Sequence, residues 1–239
     1  SREANYTHIP KDYAIAGKLK YVHLTSNNTI FGTEFHRWPE TEVPLVADMS
    51  SDIFSRPLDA KRFDVIYAGA QKNMGPAGVT LVIVRREALG TTGRTLPAML
   101  DYNTHIAKNS SFNTPPVFPI YVSMLTMRWV KANGGLDAMA RRAEERARLI
   151  YDEIDRNPLF HGTVTQPEDR SRMNATFVMT EEKKDLESAF LSACKDAGIA
   201  GLKGHRSVGG FRASIYNAMP LESVQLLVDV MRDFARKHG

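Results

Sequence analysis

A single cysteine, Cys194, stands among 239 residues, so no disulfide can form within the chain and a reducing compartment suits it. It lies in Ala189-Phe190-Leu191-Ser192-Ala193-Cys194, an apolar helical pattern, and reads as a small core residue rather than a nucleophile. Long hydrophobic runs are missing as well. The longest uncharged stretch, Asn109 to Met127, contains Asn-Ser-Ser and Asn-Thr-Pro-Pro, which excludes a membrane span there. No signal peptide is visible, and a cytoplasmic protein is expected. Charge of one sign is scarce too: the formal net charge is only +4 and the basic residues are dispersed, which argues against nucleic acid as a partner. The densest basic stretch, Arg141 to Arg148, is interleaved with glutamates and reads as a solvated helix face. There is no internal repeat and no low-complexity tract, and no metal is expected. The chain opens on Ser1 rather than Met, and an amino-terminal portion is expected to precede it.

What is present is ordinary globular material: 43% apolar and 24% charged residues, enough for one or two domains. Tyr21–Thr25, Val43–Ala47, Asp64–Ala68 and Val79–Val84 read as buried strands. Their near-continuous hydrophobicity predicts a mainly parallel α/β sheet covered on both faces. A helix is predicted over Val117–Ala132, entered after Pro115-Pro116 and ended before Gly134-Gly135. Beyond that pair Leu136, Met139, Ala143, Ala147, Ile150 and Ile154 recur at helical spacing. There follow a strand (Ala175–Met179), a helix (Leu186–Ala197), a strand (Phe211–Tyr216) and a closing helix with Leu221, Val224, Leu227, Met231 and Phe234 on one face. The expected division is 1–133 and 134–239, the second part a smaller α+β domain.

One lysine has an odd address. In Tyr67-Ala68-Gly69-Ala70-Gln71-Lys72-Asn73-Met74-Gly75-Pro76-Ala77-Gly78, a strand empties into a loop shaped by three glycines and a proline. Near a low-dielectric sheet edge a lysine's pKa falls, and the neutral amine becomes a nucleophile able to form a Schiff base with an aldehyde cofactor. The competing reading is a lysine at a hairpin-like turn, projecting into water.

Asp48 ends the run Val43–Ala47 and is followed by Met49-Ser50-Ser51. The carboxyl edge of an open α/β sheet is where ligands sit. A carboxylate there can keep the pyridine nitrogen of pyridoxal phosphate protonated. Opposite charges about 4 Å apart at an effective dielectric near 20 interact by roughly 4 kcal/mol, about three pKa units on that nitrogen. Alternatively Asp48 caps a helix begun by Ser50-Ser51-Asp52.

Four segments together go further: Val46-Ala47-Asp48-Met49-Ser50-Ser51-Asp52-Ile53-Phe54-Ser55-Arg56-Pro57, the Lys72 loop, Asn113-Thr114-Pro115-Pro116, and Gly204 to Ala218, which contains Gly-His-Arg-Ser-Val-Gly-Gly-Phe-Arg. In consistent order from near Ser1 to Gly239, the chain resembles phosphoserine aminotransferase, a family of fold-type I pyridoxal-phosphate enzymes of serine biosynthesis. The resemblance implies a PLP-dependent transferase fold, with 1–133 part of the large cofactor-binding domain and 134–239 the small one. It implies Lys72 as the Schiff-base lysine and Asp48 as the partner of the ring nitrogen. Gln71 and Thr29 would hydrogen-bond the cofactor. Asn113 and Thr114 would reach the cofactor phosphate of the neighbouring subunit in a homodimer. His205, Arg206 and Arg212 would bind substrate, which suits guanidinium forks facing phosphate and carboxylate. The implied reaction passes an amino group from L-glutamate to 3-phosphohydroxypyruvate, giving O-phospho-L-serine and 2-oxoglutarate. Some bacterial members also aminate a phosphorylated hydroxy-oxobutanoate on the route to pyridoxine.

The chain departs from the family in lacking its amino-terminal part, which supplies a glycine-rich phosphate loop, a stacking aromatic and a substrate arginine. Trp38 and Trp129 stand in the wrong motifs to replace that aromatic. Two rivals follow. A glyoxylate-type aminotransferase would keep Asp48 and Lys72 but has no need of Gly204-His205-Arg206 with Arg212. The second is a non-catalytic anion-binding or scaffold fragment, a reading opened by the missing amino-terminal part.

Overall fold

The computed structural model describes residues 2–239. Four strands, β1 (Val22–Thr25), β2 (Leu45–Asp48), β3 (Val65–Gly69) and β4 (Thr80–Val84), lie side by side in chain order. β1, β2 and β3 run parallel, and β4 returns antiparallel to β3 through the loop that carries Lys72. The backbone N–H of Ala70 closes that loop on Val79 O at 2.9 Å. A hairpin loop is therefore what the local texture announced, and it opens at the carboxyl end of a parallel strand.

Burial alternates along these strands. Leu45 and Ala47 on β2 and Ile66 and Ala68 on β3 are buried, while Val46, Asp48, Val65 and Tyr67 are half-buried and His23 and Thr25 exposed. The apolar runs predicted cover on both faces. Among the described residues one face carries the full layer, from Met49, Ile53, Phe63 and Met74, with Met127 packed against it. Asp48 and Tyr67 occupy the other.

Three helices follow: α1 (Tyr102–Ala107), α2 (Val117–Ala132) and α3 (Gly135–Arg156). α2 has the predicted limits. α3 is preceded by the capping residue Gly134, whose φ of +93° is a backbone geometry that favours glycine. Its inner stripe includes Met139, Ala143, Ala147, Ile150 and Ile154. Arg146 corrects the expectation of a wholly solvated basic face: three residues past Ala143 and four before Ile150, it falls on the inner stripe and is only 3% exposed. It donates to Met219 O at 3.2 Å, leaving Nε and one terminal nitrogen without partners among the described residues.

A second sheet, antiparallel in the order β5 (Phe160–Gly162), β6 (Asn174–Met179) and β7 (Phe211–Ser214), packs against α3, α4 (Glu187–Asp196) and α5 (Leu221–His238). Its centre is aromatic: Phe211 meets Phe177 at 5.1 Å and Phe190 edge-on at 5.0 Å between ring centroids. Each such buried ring contributes about 1.5–3 kcal/mol of burial. Cys194 sits in this core, where burial pushes its thiol pKa up to about 11. That makes it a packing residue with little thiolate at neutral pH.

The segment after β1 ties the two sheets together. Ser171 N–H donates to Gly32 O at 2.8 Å, Thr176 Oγ1 to Phe31 O at 2.9 Å, and Arg172 N–H to the buried Glu34 carboxylate at 2.7 Å. No helix among the described residues is long and apolar enough to cross a membrane.

Candidate active site

Asp48 is the last residue of β2, where the parallel strand ends and the chain turns. Its Oδ1 accepts from Ser50 N–H at 2.9 Å and Ser50 Oγ at 2.6 Å. This is an Asx turn, so the capping alternative holds in part: Asp48 organises the turn after it, but no helix follows. Ser50 Oγ in turn accepts from Gly69 N–H at 3.0 Å, linking the ends of β2 and β3. One carboxylate oxygen is thereby fixed by local donors, and the carboxylate faces the half-open side of the sheet.

Lys72 is half-buried and does not project freely into water. Its Nζ donates to Thr29 Oγ1 at 3.4 Å, and Arg212 donates to Thr29 O at 3.2 Å. Thr29 thus stands between an amine and a guanidinium that arrive from different sheets. Burial pushes the Lys72 pKa down, the Asp48 carboxylate pulls it back up, and the Arg212 charge pushes it down again. The balance is downward, the direction a nucleophilic amine requires. The loop is seated closely on α2. A Cβ at Gly75 would come within 2.4 Å of Ser123 Oγ and 3.0 Å of Ser123 Cα, so only glycine admits this approach.

The structure brings Thr29, Asp48, Lys72 and Arg212 together. Gln71 is exposed and lays its side chain over Gly69, where an added Cβ would meet Gln71 Oε1 at 2.7 Å. His205 and Arg206 ride on a separate loop, Gly204–Gly210, with His205 Nδ1 2.7 Å from Ser207 Oγ. That loop's neck is tight: Gly204 N–H donates to Gly210 O at 2.7 Å, and a Cβ at Gly204 would meet Gly209 O at 1.9 Å. Asn113 and Thr114 lie exposed before the first turn of α2, away from this cluster in sequence and without side-chain hydrogen bonds among the described residues. Trp38 packs edge-on to Phe63 at 5.1 Å, and Trp129 is on α2.

Sequence reasoning missed the supports. Ser50 holds Asp48. Asn73, next to Lys72, is buried and donates to Ile53 O at 2.7 Å while accepting from Asn217 N–H at 3.0 Å. Nearby, the buried carboxyls of Glu34 and Asp52 share the half-buried Arg56, which reaches them at 2.7 Å and 3.3 Å and lies 2.9 Å from His36 Nδ1. A polar residue directly after the loop lysine was the one available signal; this charged cluster had none.

Pyridoxal phosphate asks for an amine that can shed its proton, a carboxylate at a strand end, and cationic or neutral donors for its anionic groups. This donor set fits. Arg212 Nε is buried and has no partner among the described residues, which leaves a directed donor for an anion.

Comparison with known proteins places this arrangement. The family model of class-V aminotransferases matches residues 3–227. The phosphoserine aminotransferase of Phocaeicola vulgatus is 58% identical over 238 residues, all of this chain and 67% of its own length. The solved phosphoserine aminotransferase of Bacillus circulans subsp. alkalophilus superposes with a TM-score of 0.95 at 46% identity, over 100% of this chain and 66% of that one. A PLP-bound phosphoserine aminotransferase from Trichomonas vaginalis gives 0.88 at 38% identity, over 96% and 65%. The chain therefore spans about two thirds of the length of the relatives it matches. On the family match over residues 3–227 and the 58% identity along the whole chain, the chain belongs to the class-V aminotransferases and, among them, to the phosphoserine aminotransferases.

Proposed function

We propose that this chain carries the lysine-bearing part of a reaction centre for reversible amino transfer between L-glutamate and 3-phosphohydroxypyruvate, giving O-phospho-L-serine and 2-oxoglutarate. The observation that carries the reading is the meeting of Lys72 and Arg212 on Thr29, an amine of lowered pKa beside a guanidinium with an unpartnered buried nitrogen. Bound pyridoxal phosphate supplies a sink for the electron pair released when the substrate's α C–H bond breaks. Lys72 would hold the cofactor through its amine, and that amine, its pKa lowered by burial, would take up the substrate's α proton and hand it on. Asp48, oriented by Ser50, holds positive charge on the ring nitrogen. Thr29 and Gln71 give the cofactor hydrogen bonds. Arg212, with His205 and Arg206 from their loop, binds the substrate's phosphate and carboxylate.

The same reading divides the chain into part of the large cofactor-binding domain (1–133) and the small domain (134–239). It makes the protein a homodimer in which Asn113 and Thr114 reach the partner's cofactor phosphate. The amino terminus of α2 favours an anion, and Val117, Phe118 and Tyr121 on its first turns are 67%, 72% and 54% exposed, apolar surface of the kind interfaces cover. A cytoplasmic location agrees with the one buried, unpaired cysteine.

The test is chemical. Incubation with pyridoxal phosphate followed by borohydride should leave one cofactor mass on the peptide containing Lys72, and Lys72→Ala should abolish both adduct and turnover without loss of helical signal. An adduct elsewhere, or turnover surviving in the variant, overturns the reading. Equal turnover of alanine with glyoxylate would point to a glyoxylate-type enzyme instead.

A further inference from the structure

The strand that bears Arg212 turns two further polar side chains to the same side. Along β7 and just past it, Phe211, Ala213 and Ile215 are buried in the small-domain core, so Arg212, Ser214 and Tyr216 face the other way, half-buried. Tyr216 also stands beside the Lys72 loop, because the N–H of its neighbour Asn217 donates to Asn73 Oδ1 at 3.0 Å. Asn174 of β6, which pairs with Ser214 in register, holds both hydroxyls: its Nδ2 lies 3.2 Å from Ser214 Oγ and 3.2 Å from Tyr216 Oη. The phenol is thereby drawn back along β7 to the level of Ser214, two residues or about 7 Å of strand from Arg212.

The direction of these hydrogen bonds follows from counting protons along a buried chain. Ser171 Oγ accepts from Met173 N–H at 3.0 Å and from Asn174 N–H at 2.9 Å, so its one proton goes to Asn27 Oδ1. Asn27 therefore presents its Nδ2 to Ser51 Oγ and to Asn174 Oδ1, each at 2.9 Å. Ser51 Oγ agrees, since it gives its own proton to Asn27 O. With Asn174 Oδ1 accepting, its amide nitrogen faces β7, and an amide nitrogen only donates. Tyr216 Oη must then accept from Asn174, and its own O–H donates to no described residue. Burial holds the phenol above its ordinary pKa, so the proton stays on at neutral pH.

We propose that Tyr216 is a further substrate-binding residue, whose O–H donates to the anionic group that Arg212 holds. This rests on the reading of Arg212 as a substrate-binding residue. The two donors complement each other. Arg212 is tied through one terminal nitrogen to Thr29 O, and its buried Nε has no partner among the described residues. Tyr216 adds a neutral donor whose direction the two asparagines set. Asn27 and Asn174 touch no substrate; they are positioning residues that turn the phenol's proton outward. Asn27 lies two residues before Thr29, so the chain that aims Tyr216 also seats the segment on which Lys72 and Arg212 meet.

The experiment uses the full-length holoenzyme and initial-rate kinetics with O-phosphoserine, with cofactor titration, circular dichroism and melting of every variant. Tyr216→Phe should raise the KM for O-phosphoserine about tenfold, the effect of losing one hydrogen bond to a charged group. Its kcat, cofactor Kd and melting temperature should stay near the parent's, whereas a merely structural tyrosine would move cofactor binding and melting together with KM. Placing 3-fluorotyrosine at position 216, nearly isosteric and a stronger donor, should lower KM, and this arm stands even where Tyr216→Phe does not fold. Arg212→Ala is the control. If it raises KM and Tyr216→Phe does not, the inference about Tyr216 alone is wrong. It is equally wrong if phenylalanine and fluorotyrosine at position 216 shift KM the same way, or if Tyr216→Phe loses cofactor and stability in step with substrate. If Arg212→Ala leaves KM unchanged, the reading of Arg212 falls and the inference falls with it.

Discussion

Asn217 ties the Lys72 loop to the segment that follows β2: its backbone N–H donates to Asn73 Oδ1 at 3.0 Å, and its side chain donates to Phe54 O at 2.9 Å. Phe54 is held at φ +59°, a left-handed geometry that costs a bulky residue energy unless its surroundings enforce it. Asn73 also donates to Ile53 O at 2.7 Å. One buried asparagine pair thus fastens the loop lysine to the chain leaving β7, the strand that bears Arg212.

Asn73→Ala strands the Asn217 N–H and the Ile53 carbonyl. Leaving buried polar groups unpaired costs about 1–3 kcal/mol each. The expected result is a lower denaturation midpoint in urea with an unchanged slope. Adduct formation at Lys72 should slow as well, because the loop loses its anchor. A midpoint equal to the parent's would show that the pair contributes nothing to stability.

Arg212→Ala should weaken O-phosphoserine far more than the cofactor. Removing charge-assisted hydrogen bonds of this kind costs roughly 1.5–3 kcal/mol, or about 10- to 150-fold in apparent affinity. Initial-rate kinetics against O-phosphoserine, alongside a cofactor titration, read the two effects separately. An unchanged KM for O-phosphoserine contradicts the assignment.

The composite site has its own test. Full-length Lys72→Ala chains and full-length chains carrying Asn113→Ala with Thr114→Ala are each expected to be inactive. Mixed and allowed to exchange, they form heterodimers in which one pocket has both the lysine and the phosphate donors while the other has neither. Activity should return, to about half the wild-type rate per heterodimer if the pockets act independently. Exchange confirmed by native mass without activity, or turnover by the double variant alone, counts against it.

Asp52 makes stability depend on pH. It is buried beside Glu34, with a single guanidinium, Arg56, facing both carboxyls and Ser26 Oγ donating to Asp52. Burial, followed by the Glu34 charge, pushes the Asp52 pKa up to about 7 from 3.8. Between those two values the unfolded chain has lost this proton and the folded chain keeps it, so the folded state binds more protons and stability falls as pH rises. Asp52's contribution is complete below pH 3.8 and gone above about 7. Urea midpoints measured across that window should fall less steeply with pH in Asp52→Asn than in the parent; parallel profiles would refute the assignment.

Much of this molecule was legible because its elements are long or its loops chemically loaded. The limits of α2 follow from Pro-Pro before it and Gly-Gly after it, and the α3 stripe from three- and four-residue apolar steps. Lys72 and Asp48 were legible as residues of unusual placement, with their meaning supplied by family likeness. β5 was not legible, because three residues carry no period. Nor was Arg146, since its burial depends on packing against the Met219 turn, 73 residues away. The Asn73–Asn217 bond spans 144 residues, and no local pattern encodes such a partner. The apolar strands gave the right elements, and the layer that the described residues supply to one of their faces comes from Met49, Ile53, Phe63 and Met74.

The loop Gly204–Gly210 separates two kinds of change. At its neck, Gly204 has Gly209 O where a Cβ would stand, and a Cβ at Gly210, whose φ is +58°, would meet Val178 Cγ1 at 2.5 Å and Phe177 O at 2.7 Å. Neither glycine can vary without opening the edge of the second sheet. The tip between them, His205 to Val208, lies outside the β-sheet ladder, and Arg206 and Ser207 are exposed. The loop is therefore an exchangeable cartridge in a fixed socket. Residues at its tip can be exchanged while the sheet beneath keeps its register, whereas a single methyl group at the socket would be felt through β6 and β7.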